Sequence, residues 1–552
     1  MADQLVQHNL AVDSAPADDH NTSSSDEKKS LDASVEIKST DAGILAVDDL
    51  AYKDEALKLV GLERTEVFSE EYYRRLRRKL DLTIPPLCSM VYCTQYLDKT
   101  ALNYARYHYP ACIPIFFLPP ASIMGFPVTG QGYNLVALSF YIGFLVWVFP
   151  TMYISQKTRI AKYLGINVVL WGIVMMLHAI PRTFAPFFVL RLILGMLESC
   201  VAPILILIIS MFYKKSEQAS RISWFYMMNG FSSIIGGFLA YGVSYTSDPN
   251  LPSYKIIYIL LGALAILSGI AVLLWMPDSP TNARMLSREE KIAAIERIRD
   301  DQGGTENKKL KKDQLIETLT DLRTWLVVLS TLLTNIPNGG LANFSNIIIK
   351  NFGYTTKQTL ILATPAGLIG IITTPLVGWW SDKKGERMLP IVYILIPTLV
   401  GAAMLVGLNG STDKGALLFA TYIIGTYGSS LSQIYAYNAS NTSGHTKKVT
   451  INAITLATFC VANIVGTETF LPQDAPNYIQ GKISILVLLS AECFLCLFMR
   501  WYNLHLNKGK RQAIAQLKRD NGWTDADIAK ERERHAFLDM TDKQNPYFVY
   551  TA

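Results

Sequence analysis

Apolar residues in this chain come in long blocks, not in the alternation of exposed strands or the single stripe of surface helices. A bilayer core takes about 20 apolar residues per helix. Twelve blocks have that length, near 84–105, 134–155, 163–181, 185–212, 222–244, 255–276, 324–348, 358–380, 388–408, 414–437, 449–470 and 482–503. The second to sixth and the eighth to tenth are clear. The first, seventh and eleventh are interrupted by polar groups, and such helices are expected to line a cavity. The pattern predicts an all-α polytopic membrane protein.

Lys and Arg fix its expected orientation. Arg74, Arg75, Arg77, Arg78 and Lys79 precede the first block, and basic clusters recur at Lys157–Lys162, Lys214–Arg221, Lys383–Arg387, His445–Lys448 and Lys508–Arg511. Loops of the other parity are poor in them, holding Arg182, Lys255 and Lys414. Both termini are therefore expected in the cytosol, which needs an even number of helices. A longer mixed-charge span with an amphipathic stretch, Ser287–Asp300, divides the blocks into six and six. The expected units are a disordered tail (1–80), a six-helix bundle (81–276), a central loop (277–323), a second bundle (324–503) and a tail (504–552). Two bundles with a site between them at the membrane midplane is a common plan of secondary transporters. The last unit reads as a soluble helix and then a solvated loop, with a regulatory surface as the alternative.

Composition sharpens this picture. Charged residues make up 17% of the chain, against about 25% in soluble domains. The first 70 residues are strongly acidic and Ser-rich at Asn21–Asp26, the signature of a disordered segment. The seven cysteines sit in or beside apolar blocks without a metal-ligand spacing, so they read as small buried residues. No cofactor or metal is expected. No phosphate-binding loop, zinc-protease spacing or serine elbow is present, which argues against an enzyme or an ATP-driven pump. The basic clusters are topology signals and not nucleic-acid contacts.

Charges inside the blocks are the candidate chemistry. Asp98 and Lys99 fall near the middle of the first block, where an unpaired charge costs at least a few kcal/mol. They read as a proton site and an anion site, or as a static ion pair. Arg191 and Glu198 are seven apart, so they share one helix face about 10 Å apart. Glu198, near a helix centre, is a candidate proton carrier, or else a packing charge. Arg191, nearer the outer face, could draw anions inward or hold a gate. The seventh block carries Asn335, Pro337, Asn338, Gly339, Gly340 and Asn343. Pro and paired Gly free backbone groups toward a cavity, and the amides suit a carboxylate or ureido group; the plain alternative is a mechanical kink.

The segment Gly378-Trp379-Trp380-Ser381-Asp382-Lys383-Lys384-Gly385-Glu386-Arg387 resembles the loop signature of the major facilitator superfamily. The resemblance implies a gating loop built on Gly378, Asp382, Gly385 and Arg387. The matching stretch of the first half, Ser155–Gly165, has lost the acidic residue. Further motifs are Tyr96–Tyr104, Arg191 with Gly195, Glu198 and Pro203, Met228-Asn229-Gly230, Thr334–Phe344, and Asn438 with Asn441–Lys448. Together they resemble the fungal allantoate permease family of anion:cation symporters. This implies a fungal plasma-membrane protein, monomeric, taking up small carboxylates with protons: ureido acids, vitamins, amino-acid derivatives or short peptides. It adds Asn229 and Asn438 to the candidate substrate ligands. An exporter on the same fold and a non-transporting nutrient sensor are the alternatives.

Two departures stand out. Relatives carry a neutral amide where Ala462-Asn463-Ile464-Val465-Gly466-Thr467-Glu468 ends in an acid, so Glu468 is a further proton-site candidate, or a residue facing outside water. Arg106–Ala121 interrupts a stretch that relatives run through almost directly; joining Ala105 to Ser122 restores their pattern. The segment is either a retained intron or an apolar, Pro-rich external loop. Sequencing the transcript across this junction decides: a message lacking these codons is the outcome expected of an intron, and a continuous message establishes the loop.

Overall fold

The computed structural model describes residues 57–60, 68–106, 132–181, 183–243, 252–301, 310–354, 356–411, 413–469, 478–536 and 538–552. The segment at 107–121, and the tail before residue 57, lie outside them. Every regular element among the described residues is helical.

A single turn, α1 (Leu57–Val60), precedes α2 (Glu70–Arg106), α3 (Gly132–Lys157) and α4 (Ile160–Leu177). The fourth passage is broken into α5 (Phe184–Glu198) and α6 (Val201–Phe212), the fifth into α7 (Lys215–Tyr226) and α8 (Met228–Val243), and α9 (Ser253–Trp275) is the sixth. Two short helices follow, α10 (Arg288–Arg299) and α11 (Lys312–Thr320). The second half comprises α12 (Leu322–Asn351), α13 (Thr356–Leu362) with α14 (Thr364–Lys384), α15 (Met388–Gly407), α16 (Lys414–Ile424) with α17 (Gly428–Asn441), α18 (His445–Thr467) and α19 (Ile479–Asp520). The last helix is α20 (Asp525–His535).

Seven spans among the described residues are long and apolar enough to cross a membrane. They lie in α3, α4, α5–α6, α9, α15, α18 and α19. Passages outside these spans include α2, which carries Asp98 and Lys99, and α12, which carries Asn335 and Asn338. Large apolar side chains such as Val146, Phe238, Leu267, Leu274 and Phe494 point outward, as a hydrocarbon solvent requires.

Two differences from the sequence expectation have simple causes. α2 begins at Glu70, inside the stretch expected to be disordered, because Leu76, Leu80 and Ile84 form a buried stripe. Its charged face is held by Lys79–Glu290 (2.7 Å) and Arg221–Asp81 (2.8 Å). α19 continues past residue 503 without a break, so the expected separate soluble helix is the end of the last membrane helix. The amphipathic stretch in the central span is α10, with Ser287 as N-cap accepting from the Glu290 amide in a reciprocal capping box.

Within the first half α4 packs on α9, α3 on α5, and α2 on α8 and α9. Within the second, α12 packs on α18 and α19, and α15 on α16 and α19. The halves meet where α3 lies against α18 and where α7 and α8 lie against α14. Close backbone approach builds the α3–α5 seam: a Cβ on Gly195 would stand 2.1 Å from the Phe140 carbonyl oxygen. Gly195→Val is expected to push this seam apart at a cost of about 1–3 kcal/mol or more. The check is a lower thermal unfolding midpoint of the purified protein in detergent.

Candidate functional site

Asp98 on α2 and Arg191 and Glu198 on α5 form a cluster sealed inside the first half, with exposures of 1%, 3% and 1%. The Arg191 guanidinium lies 3.7 Å from Asp98 Oδ1. Trp171 of α4 donates its indole N–H to Asp98 Oδ2. Arg191 also donates to the Tyr258 hydroxyl of α9 at 3.5 Å. The Glu198 carboxyl neighbours both Asp98 and Arg191. Asp98 Oδ1 and Glu198 Oε1 are buried without a hydrogen-bond partner. Two carboxyl groups thus share one guanidinium, and the cluster is electrically neutral when one of them carries a proton. Arg191 faces inward to these partners and not toward an entrance.

Lys99 takes another direction, because consecutive helical residues are turned about 100° apart. Its ammonium stands 5.0 Å from the Phe459 ring of α18 and 5.9 Å from the Tyr141 ring of α3. The two rings belong to opposite halves. No ion pair among the described residues involves Lys99. Asp98 and Lys99 are therefore not a static pair.

The amides of the second half form a chain of contacts. Asn338 of α12 donates to Asn463 Oδ1 of α18 at 2.9 Å and accepts from the Tyr427 hydroxyl at 3.0 Å. Asn438 donates to Thr455 Oγ1 at 2.9 Å and leaves its own Oδ1 buried and unpartnered. Asn229, on α8, buries an equally unpartnered Oδ1. Asn335 turns back to the Thr331 carbonyl of its own helix at 2.8 Å. The side chain of Asn343 lies outside the described residues. Glu468 is the C-cap of α18 and is exposed.

On the face that carries α10, α11 and the last residues of the chain, the halves are closed against each other. Asp382, at the end of α14, accepts from the Ala219 and Ser220 amides of α7 at 3.1 and 2.7 Å and pairs with Arg387 at 3.0 Å. Arg387 is fully buried; it donates to the Ser381 and Ser440 hydroxyls and to the Lys215 carbonyl across the divide. Burial draws the Arg387 guanidinium below its ordinary value, against the pull of Asp382. Gly378 lets α14 touch α7, since a Cβ there would overlap Ser223. Gly385 ends α14 at φ 67°, a left-handed conformation suited to glycine. Deeper in, Tyr226 of α7 and Tyr435 of α17 meet edge to face at 6.2 Å, and Gln433 donates to Ser223 at 3.4 Å.

The first-half loop that lacks the acid uses Gln156 instead, which donates to Thr446 Oγ1 of α18 at 3.0 Å. Asp278, after α9, takes over the helix amides and accepts from Ala161 and Lys162 of α4. Sequence reading missed Trp171, Tyr258 and Gln156, which are ordinary residues until packing brings them to a charge or a crossing. It also missed Glu492, fully buried on α19 and accepting from Ser330 Oγ at 2.6 Å, although an acid in an apolar block was signal enough.

Two helical halves, closed at one face through Asp382 and Arg387, with charges buried inside the first half, define a secondary transport protein of the membrane. The chain belongs to the Major Facilitator Superfamily, whose family model matches residues 103–467, and within it to the group of the allantoate permease. The allantoate permease of Saccharomyces cerevisiae is 32% identical over 515 residues, 90% of each chain. The thiamine pathway transporter of the same yeast is 32% identical over 91% of each chain. In three dimensions the proton:xylose symporter XylE superposes with a TM-score of 0.59 at 16% identity, covering 75% of this chain and 94% of that one.

Asp382→Asn removes the charge that faces the α7 amides and Arg387, a loss of about 1.5–3 kcal/mol for charged hydrogen bonds. The closed face is expected to open more often, and labelling of a cysteine placed at buried Ser223 by an impermeant thiol reagent to accelerate at least about tenfold.

Proposed function

We propose that this protein imports a small organic anion together with protons, by alternating access, across the plasma membrane. The observation that carries the proposal is Lys99: a cation between the two halves, flanked by rings from each and without an ion-pair partner among the described residues. A substrate carboxylate would neutralise it. Asn338, Asn463 and Tyr427 offer donors and acceptors on the second half for an amide or ureido group. Asn229 and Asn438, each with an unpartnered buried oxygen, are the next candidates. Relatedness to the allantoate permease supports this substrate class.

The buried cluster supplies the proton side. Asp98 and Glu198 share Arg191, so gain or loss of one proton changes the charge of a site walled by α2, α4, α5 and α9. Asp98 is bonded through the chain to Lys99, so anion binding and proton binding act on one helix, which provides the coupling that a symporter needs. The basic residues clustered on the closed face support a cytosolic placement for it. The state described is then closed to the cytosol, with Asp382 and Arg387 holding it shut.

The test is uptake into proteoliposomes of labelled carboxylates, ureides and small peptides, with and without an inside-alkaline pH gradient. Gradient-dependent accumulation of one class is expected. Lys99→Met is expected to raise KM for that substrate about tenfold or more, the loss of one charged contact. Glu198→Gln is expected to abolish accumulation against a gradient while keeping substrate counterflow. Full gradient-driven uptake by Glu198→Gln at normal expression overturns the proton assignment.

A further inference from the structure

The last stretch of the chain was expected to be solvated, and it is not. α20 has no buried residue, yet in the following segment Thr541, Asp542, Asn545, Phe548 and Tyr550 are buried. We propose that Asp539–Ala552 is an intramolecular latch, seated on the second half and clasping the first, that must release Lys215 before this face of the transporter opens.

The seat on the second half is extensive. Asp542 pairs with Arg323 at the start of α12 and, at 3.0 Å, with Lys447 of α18. Lys447 also meets Glu317 at 2.7 Å and Asp321 at 2.9 Å, so its ammonium fills the space among three carboxylates. Burial opposes ionisation of Asp542, but Arg323 and Lys447 hold its carboxyl below the ordinary value. Two asparagines then bind the segment's backbone in both directions. Asn507 donates to the Tyr550 carbonyl at 2.8 Å and accepts from the Tyr550 amide at 2.9 Å. Asn441 donates to the Thr551 carbonyl at 3.1 Å and accepts from the Thr551 amide at 2.7 Å. These pairings reproduce what a neighbouring strand would give, without a strand.

The clasp on the first half is slight by comparison. Lys215, the first residue of α7, donates to the Val549 carbonyl at 3.2 Å and places its ammonium 3.5 Å from the centre of the Phe548 ring. Lys510 of α19 lies over the same ring at 5.5 Å. The buried ring is thus shared by cations of both halves. Lys215 is also the residue whose carbonyl receives Arg387 from the gating loop, so latch and loop converge on one helix end. Separation of the halves must break both contacts. The unequal anchoring means that the segment stays with the second half and lets go of Lys215.

The test needs neither the substrate nor the proton assignment. Spin labels are placed on the full chain at exposed Thr158 of the first half and Lys384 of the second, in a background without reactive native cysteines, in lipid nanodiscs. The native segment is expected to give mainly the short interlabel distance. Phe548→Leu and Lys215→Met are each expected to enlarge the long-distance population about threefold or more, the lower end of what a cation–π contact contributes. Phe548→Tyr, which keeps a ring, is expected to restore the native distribution. Deletion of 539–552 is expected to enlarge the open population further, and if that protein fails to fold the point variants decide alone. Unchanged distance distributions in folded Phe548→Leu and Lys215→Met overturn the latch.

Discussion

A charge away from water must be compensated, and this constraint organises the molecule. The Asp98 carboxylate draws Trp171 from α4, Arg191 from α5 and, through Arg191, Tyr258 from α9. Four helices of the first half are thereby tied at one level by polar bonds inside an otherwise apolar bundle. The cluster sets two carboxyl groups beside one guanidinium. Lys99, one residue further along, makes no ion pair with the cluster and stands between rings of the two halves.

The closed face obeys the same rule with different means. Asp382 is met by helix amides and a buried guanidinium, Lys447 by three carboxylates, and Phe548 by ammonium groups on either side. At the pseudo-symmetric crossing of α3 and α18, Gln156 donates to Thr446 in a neutral bond. The two crossings therefore differ in strength and in their dependence on charge. The α7–α14 crossing holds charged bonds through Asp382 and Arg387.

Much of this was legible in the order of residues. Block length located the passages, and the loop from Gly378 to Arg387 carried its own spacing. Polar residues in α2 and α12 marked two helices that are absent from the seven apolar spans. What could not be read depends on contacts between distant parts. Asp98 and Lys99 look like a pair in sequence and part only because a helix turns them away from each other. The segment after α20 has the composition of a loop; its burial rests on Asn441, Asn503 and Asn507, and the sequence does not show that these amides would meet it.

The placement of these groups separates two kinds of heritable change. The acid cluster lies wholly within the first half, and the chain of Asn338, Asn463 and Tyr427 lies wholly within the second. Substitutions in α12 and α18 can alter the Asn338–Asn463–Tyr427 contacts while leaving the packing around Arg191 intact. On the proposed assignment, a lineage of such proteins can diversify its cargo by drift on one side of the divide and keep its proton site on the other, with Lys99 as the shared element.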